Sequence, residues 1–111
     1  MKVGVLTYHR CINYGSYWQA RCLVEGLQAM GHDAVLLDHD DLDVRGAEWR
    51  CAFQPQLPVR SHAEDLKRYG IKARKFLEAF EALPQSPRFA LDRPQDAGDY
   101  DAVVVGSDEV W

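Results

Sequence analysis

Apolar residues fall into three short unbroken runs separated by two stretches with helical spacing. The runs cover residues 2–8, residues 33–38 and the segment that begins near Asp101. Short unbroken runs of this kind are typical of parallel strands that are covered on both faces. In the first intervening stretch, apolar residues recur every three or four positions, which predicts a helix: Ala20, Leu23, Leu27 and Met30. The second stretch predicts another helix by the same spacing: Leu66, Tyr69, Ala73, Phe76, Phe80 and Leu83.

Capping residues predict where the first helix begins and ends. Ser16-Tyr17-Trp18-Gln19 matches a capping box, so we expect the helix to begin at Ser16. Gly31 follows the last apolar residue, where helices commonly end in a left-handed residue.

The later half of the chain gives a mixed picture. Pro55 and Pro58 disfavour helix, so we expect an irregular connection over residues 39–60 with one helical turn near residues 46–51. The capping box Ser61-His62-Ala63-Glu64 predicts the start of the second helix, and Pro84 ends it. Gly70 would bend or divide that helix, at a cost of about 1 kcal/mol relative to alanine.

These elements predict one α/β domain over residues 1–111. A strand, a helix and a second strand within the first forty residues form a crossover unit, which makes the two strands parallel. With the third strand, the expected sheet has the order 2-1-3 and begins a Rossmann-like, doubly wound fold. No helix follows the third strand to cover it, so we expect an open edge and a chain that is part of something larger.

Composition and charge narrow the class of protein. Apolar residues make up 47% and charged residues 27%, which is typical of globular domains. A net charge of −4 without a basic, aromatic-rich stripe argues against nucleic acid as a partner. We also expect no membrane span, and the apolar start is too short for a signal peptide. The odd set of cysteines, Cys11, Cys22 and Cys51, predicts free thiols and a cytoplasmic location.

The loop after the first strand, residues 9–16, contains the first candidate binding residues. It leads into a helix amino end, where unpaired amides favour phosphates and carboxylates. His9 has a side chain that donates to anions or transfers protons, and Gly15 permits close approach of a ligand. The alternative is that Asn13 and Gly15 only form the turn and that His9 only holds the loop by hydrogen bonds.

The loop after the third strand, residues 106–111, contains the second set. Ser107, Asp108 and Glu109 place a hydroxyl and two carboxylates at the same sheet edge, where they would hold sugar hydroxyls or act as a base. The alternative is that Ser107 or Asp108 caps a following helix.

Two other polar features do not predict a site. His39 lies among the acids of residues 38–41, but no second ligand cluster stands at a recognisable spacing, so we expect no metal. Cys11 shares a loop with His9, yet nothing in the sequence lowers its pKa, so we do not expect a nucleophile.

The two loops together resemble the polysaccharide pyruvyl transferase family. The first family pattern is matched by Leu6-Thr7-Tyr8-His9, Asn13-Tyr14-Gly15 and Gln19-Ala20. The second pattern, an apolar run that follows Tyr-Asp and leads into Gly-Ser-Asp, is matched by Tyr100-Asp101 and by Gly106-Ser107-Asp108-Glu109-Val110-Trp111. Two separated motifs in the right order are more specific than either motif alone.

The resemblance implies a two-domain enzyme with a glycosyltransferase-B-like fold. Such enzymes take a pyruvyl group from phosphoenolpyruvate, their co-substrate, and attach it as a ketal to two hydroxyls of a sugar or polysaccharide precursor. No further cofactor is implied. Members are considerably longer than this chain, so it corresponds to the front of the amino-terminal domain. The groups that bind phosphoenolpyruvate are then expected elsewhere, in the missing half or in a partner chain, and the isolated chain is expected to be inactive.

By the same resemblance, several residues of this chain line the substrate cleft: His9, Asn13, Tyr14, Gly15, Ser107 and Glu109, with Asp108 as the base. Glu109 stands where the family usually has glutamine, and an ionised carboxylate only accepts hydrogen bonds. Two other functions stay open from the sequence. One is a transferase with a similar fold that uses a nucleotide-sugar. The other is a non-catalytic binding module or half-enzyme, whose partner is the missing half of the enzyme or further copies of this chain.

Overall fold

A three-stranded parallel sheet with helices on its faces organises the chain. The structure is a computed structural model that describes residues 1–54, 58 and 61–106. The elements in chain order are β1 (Lys2–Leu6), α1 (Tyr14–Ala29), β2 (Asp33–Leu36), α2 (Leu42–Phe53), α3 (Ala63–Glu81), a 3-10 turn (Pro94–Ala97) and β3 (Ala102–Val105). The sheet order is β2-β1-β3, so the predicted α/β fold with β1 in the centre is confirmed.

The two faces of the sheet have separate apolar clusters. On the first face, Val5 and Leu36 pack with residues from α1, from α3 and from just after α3: Ala20, Val24, Phe76, Phe80 and Leu83. On the second face, Leu37 packs with Phe89 and Ala97, and Leu6 and Tyr100 cover that cluster. Burial on both faces explains why β1 and β2 appear as unbroken apolar runs, whereas β3 leaves Val103 and Val105 exposed.

The first helix begins earlier than the capping box predicted. α1 starts at Tyr14, because Asn13 has extended backbone and its Oδ1 accepts from the amides of Gly15 at 2.8 Å and Ser16 at 3.3 Å. The prediction that Ser16 caps the helix was therefore wrong. Gln19, the other half of that box, instead accepts a hydrogen bond from Thr7 Oγ1 at 2.9 Å.

The end of α1 confirms part of the expected pattern. Gly31 follows the helix with a φ of +89°, the left-handed conformation that glycine adopts without strain. Met30, however, is 74% exposed, so the apolar stripe stops one turn before it.

A full helix, α2, occupies Leu42–Phe53, within the stretch that was expected to be irregular, and most of residues 54–60 lie outside the described part of the chain. α2 has 12 residues, and Asp41 caps it by accepting from the amides of Asp43 and Val44. None of its residues is buried, so no apolar stripe was present in the sequence to reveal it. Trp49 and Phe53 stack on each other at 5.5 Å, and Phe53 lies beside Gly70 of α3.

The third helix runs without interruption from Ala63 to Glu81, so Gly70 neither bends nor divides it. The burial of Ala73, Phe76 and Phe80 against the sheet outweighs the cost of one helical glycine, which is about 1 kcal/mol. The cap is His62 rather than Ser61, and its amide donates to Asp65 Oδ2 at 2.9 Å.

The segment after α3 lies along β2 as an additional short parallel strand. The amide of Leu36 donates to the carbonyl of Pro84, and the amide of Ser86 donates back to the carbonyl of Leu36, both at 2.8 Å. Farther along, the amide of Phe89 donates to the carbonyl of Asp38 at 3.1 Å. This segment, residues 84–89, covers the outer edge of β2. Among the described residues, nothing pairs with the outer edge of β3.

No helix in the described ranges is long and apolar enough to cross a membrane.

Candidate functional site at the carboxyl edge of the sheet

The three strands end at one edge of the sheet, and a cavity lies where ligands are expected. From β1 the chain passes first to β2 on one side of it and later to β3 on the other side. The topological switch point therefore lies between β1 and β3. A cavity of about 190 Å³ occupies this point. Its lining comes from both strand ends and from two loops: Leu6, Thr7, Tyr8, His39, Leu91, Val105 and Gly106.

A smaller cavity continues this space toward β2. It has a volume of about 80 Å³ and shares Tyr8, His39 and Leu91 with the first. It adds a set of charged and polar side chains, which includes His9, Arg10, Asp40, Asp41 and Arg45. We call the two together the carboxyl-edge cleft. The surface that faces the space is mostly apolar in both cavities, but the charged side chains belong to the smaller one, so we call that end the charged end and the other the apolar end.

The two sequence motifs meet at the apolar end of the cleft. The amide of Gly106 donates to the carbonyl of Leu6 at 2.9 Å, which places Gly106 beside Thr7. A Cβ atom on Gly106 would lie 3.1 Å from Thr7 Oγ1 and 2.8 Å from Leu23 Cδ1. A larger residue would therefore require Leu23 and Thr7 to shift, so glycine suits this close approach of β3 to β1 and α1.

A buried carboxylate organises the charged end. Asp38 follows β2, and its side chain is 7% exposed. Its Oδ1 accepts from His9 Nε2 at 2.9 Å and from Arg10 Nε at 2.8 Å, and its Oδ2 accepts from Arg10 Nη2 at 2.8 Å. The backbone amide of Asp38 donates to Ser86 Oγ at 2.9 Å. Asp38 thus joins the loop after β1 to the segment that covers β2.

The electrostatics of this cluster follow from burial and pairing. Burial alone would raise the pKa of Asp38, but the hydrogen bonds and charges of Arg10 and His9 outweigh burial and lower the pKa. Burial lowers the pKa of His9 from its usual 6.5, and the hydrogen bond to Asp38 offsets only part of that effect. The hydrogen bond with Asp38 raises the pKa of Arg10. At neutral pH, Asp38 and Arg10 are therefore an ion pair and His9 is neutral.

The carbonyl of Thr7 connects the two histidines of the cleft. His39 Nε2 donates to it at 3.0 Å, and His9 Nδ1 lies 3.2 Å from it. The rings of His9 and His39 meet edge to face at 5.0 Å. These contacts fix the direction of the chain as it leaves β1.

Asp40 is the acid of this edge that sequence reasoning considered only as a metal ligand. Its Oδ2 lies 3.2 Å from Arg45 Nη1 and 3.6 Å from Arg88 Nη1. Its Oδ1 is buried and makes no hydrogen bond within the described part of the chain. A half-satisfied buried carboxylate in a cavity can accept a hydrogen bond from a hydroxyl or from water. In the sequence, Asp40 stood out only as one of the acids beside His39.

The structure places the sequence-predicted residues at different points. His9 lines the cleft, but it is 1% exposed and its ring is held by a hydrogen bond to Asp38. Asn13 and Gly15 form the amino cap of α1. Tyr14 is 65% exposed and lines a separate groove between α1 and α3. Ser107, Asp108 and Glu109 lie outside the described residues.

The cysteines and the acid-rich loop show no metal or thiolate chemistry in the described ranges. No group of three metal-ligating side chains comes together there. Cys11, Cys22 and Cys51 are free thiols, and burial raises the pKa of the half-buried Cys11. A raised pKa disfavours the thiolate, which is the nucleophilic form.

Fold and site together define an α/β protein with a polar cleft at the carboxyl edge of a parallel sheet. Comparison of the chain with protein-family models, with curated proteins and with solved structures gave no significant match.

Proposed function

We propose that this chain is the amino-terminal part of a pyruvyl-transferase-like enzyme. The reaction would move a pyruvyl group from phosphoenolpyruvate onto two hydroxyls of a sugar or polysaccharide precursor, giving a ketal and free phosphate. The observation that supports this most is the contact between Thr7 and Gly106. It brings together, at one cavity, the two motifs on which the resemblance to that family rests.

The chemistry of the cleft is compatible with this reaction. Ketal formation requires a base for the acceptor hydroxyl, and Asp108, two residues after Gly106 in sequence, is the proposed base. The charged end of the cleft has Arg10, Arg45 and Arg88 around Asp38 and Asp40. With Asp41, which also lines the cleft, three guanidinium groups face three carboxylates, so the formal charges at this end balance.

The buried ion pair has a positioning role in this proposal. Asp38 fixes Arg10 through both guanidinium nitrogens and fixes His9 through its ring. A bidentate pair of this kind restricts geometry as well as adding energy. Asp38 would therefore hold the loop that leads to Asn13 in a single direction.

The test uses the protein in the form in which its source makes it, and its intact mass is measured first. That protein is incubated with phosphoenolpyruvate and a panel of sugar precursors, and released phosphate is measured. We expect phosphate release that depends on the sugar, and about a hundredfold slower turnover for Asp108→Asn. Asp99→Asn, an exposed acid outside the cleft, is the matched control and should leave the rate unchanged.

Two results would contradict the proposal. One is consumption of a nucleotide-sugar without any phosphate release from phosphoenolpyruvate, which would indicate the glycosyltransferase alternative. The other is normal turnover of Asp108→Asn, which would remove that residue as the base.

A further inference from the structure

A groove lies between α1 and α3, away from the carboxyl-edge cleft. Its volume is about 440 Å³, which is within the range of small-molecule sites. Aromatic and basic side chains line it: Tyr14, Tyr17, Trp18, Arg68, Ile71, Lys72, Lys75, Phe76 and Ala79. Tyr14 and Trp18 are 65% and 51% exposed, so part of each ring is accessible to solvent, and Arg21 lies over the ring of Trp18 at 5.2 Å.

The cations of the groove form a row along one face of α3. Arg68, Lys72 and Lys75 stand four and three residues apart, so neighbouring side chains in the row lie about 5–6 Å apart. Residues 66–77 contain five bases and no acid, although the whole protein has 13 bases and a net charge of −4. Positive charge is therefore concentrated on this helix.

The rings and the cations of the groove are adjacent to each other. Lys72 Nζ lies 5.6 Å from the ring centre of Tyr14, and the rings of Tyr14 and Phe76 are 4.9 Å apart. A ligand in the groove would thus contact flat apolar surfaces and positive charges at the same time. Sugar rings that carry acidic groups have both complementary features: apolar ring faces and fixed negative charges.

We propose that this groove binds an acidic saccharide, a short chain of sugar rings that carry carboxylates. A row of cations fits a ligand whose charges repeat along its length, whereas a single phosphate would need converging cations. The limited volume and the net charge of −4 disfavour a long polyanion such as nucleic acid, which the rest of the surface would repel. The role of this saccharide as the acceptor rests on the proposed function, but its binding does not.

The groove also lies next to the loop of the first motif. Tyr14 is the first residue of α1 and directly follows Asn13, in the loop that leaves the carboxyl edge of β1. A saccharide held on Tyr14 would therefore lie near the start of α1, on the side from which the carboxyl-edge cleft is approached.

The experiment measures binding of trigalacturonate to the protein by calorimetry, with maltotriose as the neutral probe and a thymidine trinucleotide as the alternative polyanion. We expect trigalacturonate to bind more than tenfold more tightly than either of the other two. The double variant Lys72→Gln/Lys75→Gln should weaken it about tenfold, as expected for the loss of two exposed charge pairs. Trp18→Ala should weaken it as well, through loss of a ring face.

A matched double variant distinguishes binding in the groove from non-specific electrostatic attraction to the positive charge of α3. Lys67→Gln/Arg74→Gln removes the same charge from the same helix, but neither residue lines the groove. We expect less than a threefold change in affinity for this control, with circular dichroism confirming the fold of every variant.

Several outcomes would overturn the inference. They are no binding of trigalacturonate, equal binding of maltotriose, equal weakening by the control variant, or tighter binding of the trinucleotide. The assay contains no phosphoenolpyruvate. Its result is therefore independent of the transferase assay. Binding of trigalacturonate together with no phosphate release in the separate transferase assay would contradict the proposed function alone, and phosphate release there without binding here would contradict only the groove.

Discussion

Asp38 shows how one side chain connects distant parts of this chain. It pairs with His9 and Arg10, which precede it by 29 and 28 residues. The parallel register sets this pairing. Because Val5 lies opposite Leu36, the loops that follow the two strands begin next to each other. Sequence reasoning found His9 and the acids of residues 38–41 separately. It could not join them, because the register of two strands is not visible in either strand alone.

The buried histidine makes stability depend on pH. Because the pKa of His9 is lowered from 6.5 in the folded chain, the unfolded chain takes up a proton at higher pH than the folded chain does. The free energy of unfolding should therefore fall as the pH drops below about 6.5. The lowered pKa of Asp38 has the same effect in more acidic solution. Its contribution to the free energy of unfolding is fully present above pH 3.8, the ordinary pKa of the group, and is lost as the pH falls through the lower pKa of the folded chain.

Urea unfolding measured from pH 8 to pH 5 tests this expectation. His9→Gln keeps a side-chain donor for Asp38 but does not titrate, so its stability should change less with pH over that range. His32→Gln, which removes a histidine at the other end of the sheet, should keep the dependence of the parent. An unchanged slope in His9→Gln would show that another group is responsible.

At the scale of elements, the helices and strands that were predicted from the sequence are those that bury an apolar face. The three strands were found as unbroken apolar runs, and α3 was found because its apolar residues recur at the helical period. α2 was missed because it buries no residue. The start of α1 was misplaced because Asn13 and Ser16 are both good caps, and only the extended backbone at Asn13 decides between them.

The junction of β1, β3 and α1 gives a prediction about two glycines. Gly106→Ala places a methyl group 3.2 Å from Thr7 Cβ and closer still to Leu23, so it should lower the free energy of unfolding by about 1–3 kcal/mol. Gly26→Ala is the matched change inside α1, where no atom lies within 4 Å of the added carbon. It should raise stability by up to about 1 kcal/mol. Denaturant unfolding of both variants checks this, and equal effects would contradict the close approach at Gly106.

At the scale of the whole molecule, the average charge conceals a charged face. The sequence shows a net charge of −4 and no evident basic stripe with aromatic neighbours, which argued against nucleic acid as a partner. The structure places α1 beside α3, which sets Tyr14 and Trp18 next to Arg68, Lys72 and Lys75. These residues are distant in sequence, so composition and local pattern could not reveal the groove. The roles of Ser107, Asp108 and Glu109 stay predictions from the sequence.

The two edges of the sheet differ, which predicts self-association through β3. Val103 and Val105 are 52% and 66% exposed, and the described chain pairs nothing with their strand on the outer side. Exposed apolar strand edges pair with other chains, and a lysine on the edge prevents this. Val103→Lys should therefore reduce association in sedimentation velocity at rising concentration. Val44→Lys, at an equally exposed valine of α2, should not. Equal association of both variants would contradict this role of the β3 edge.

The segment at residues 84–89 also has a consequence for the order of folding. Ser86 lies 48 residues after Asp38, and its hydroxyl accepts the amide hydrogen of the residue that holds Arg10 and His9. Such a contact forms only after the chain has passed through α2 and α3 and returned to the sheet. Closing this long loop costs conformational entropy before the contact can form and stabilise the fold. We therefore expect the strand-helix-strand unit of β1, α1 and β2 to form early. The charged end of the cleft would be completed in the last step of folding.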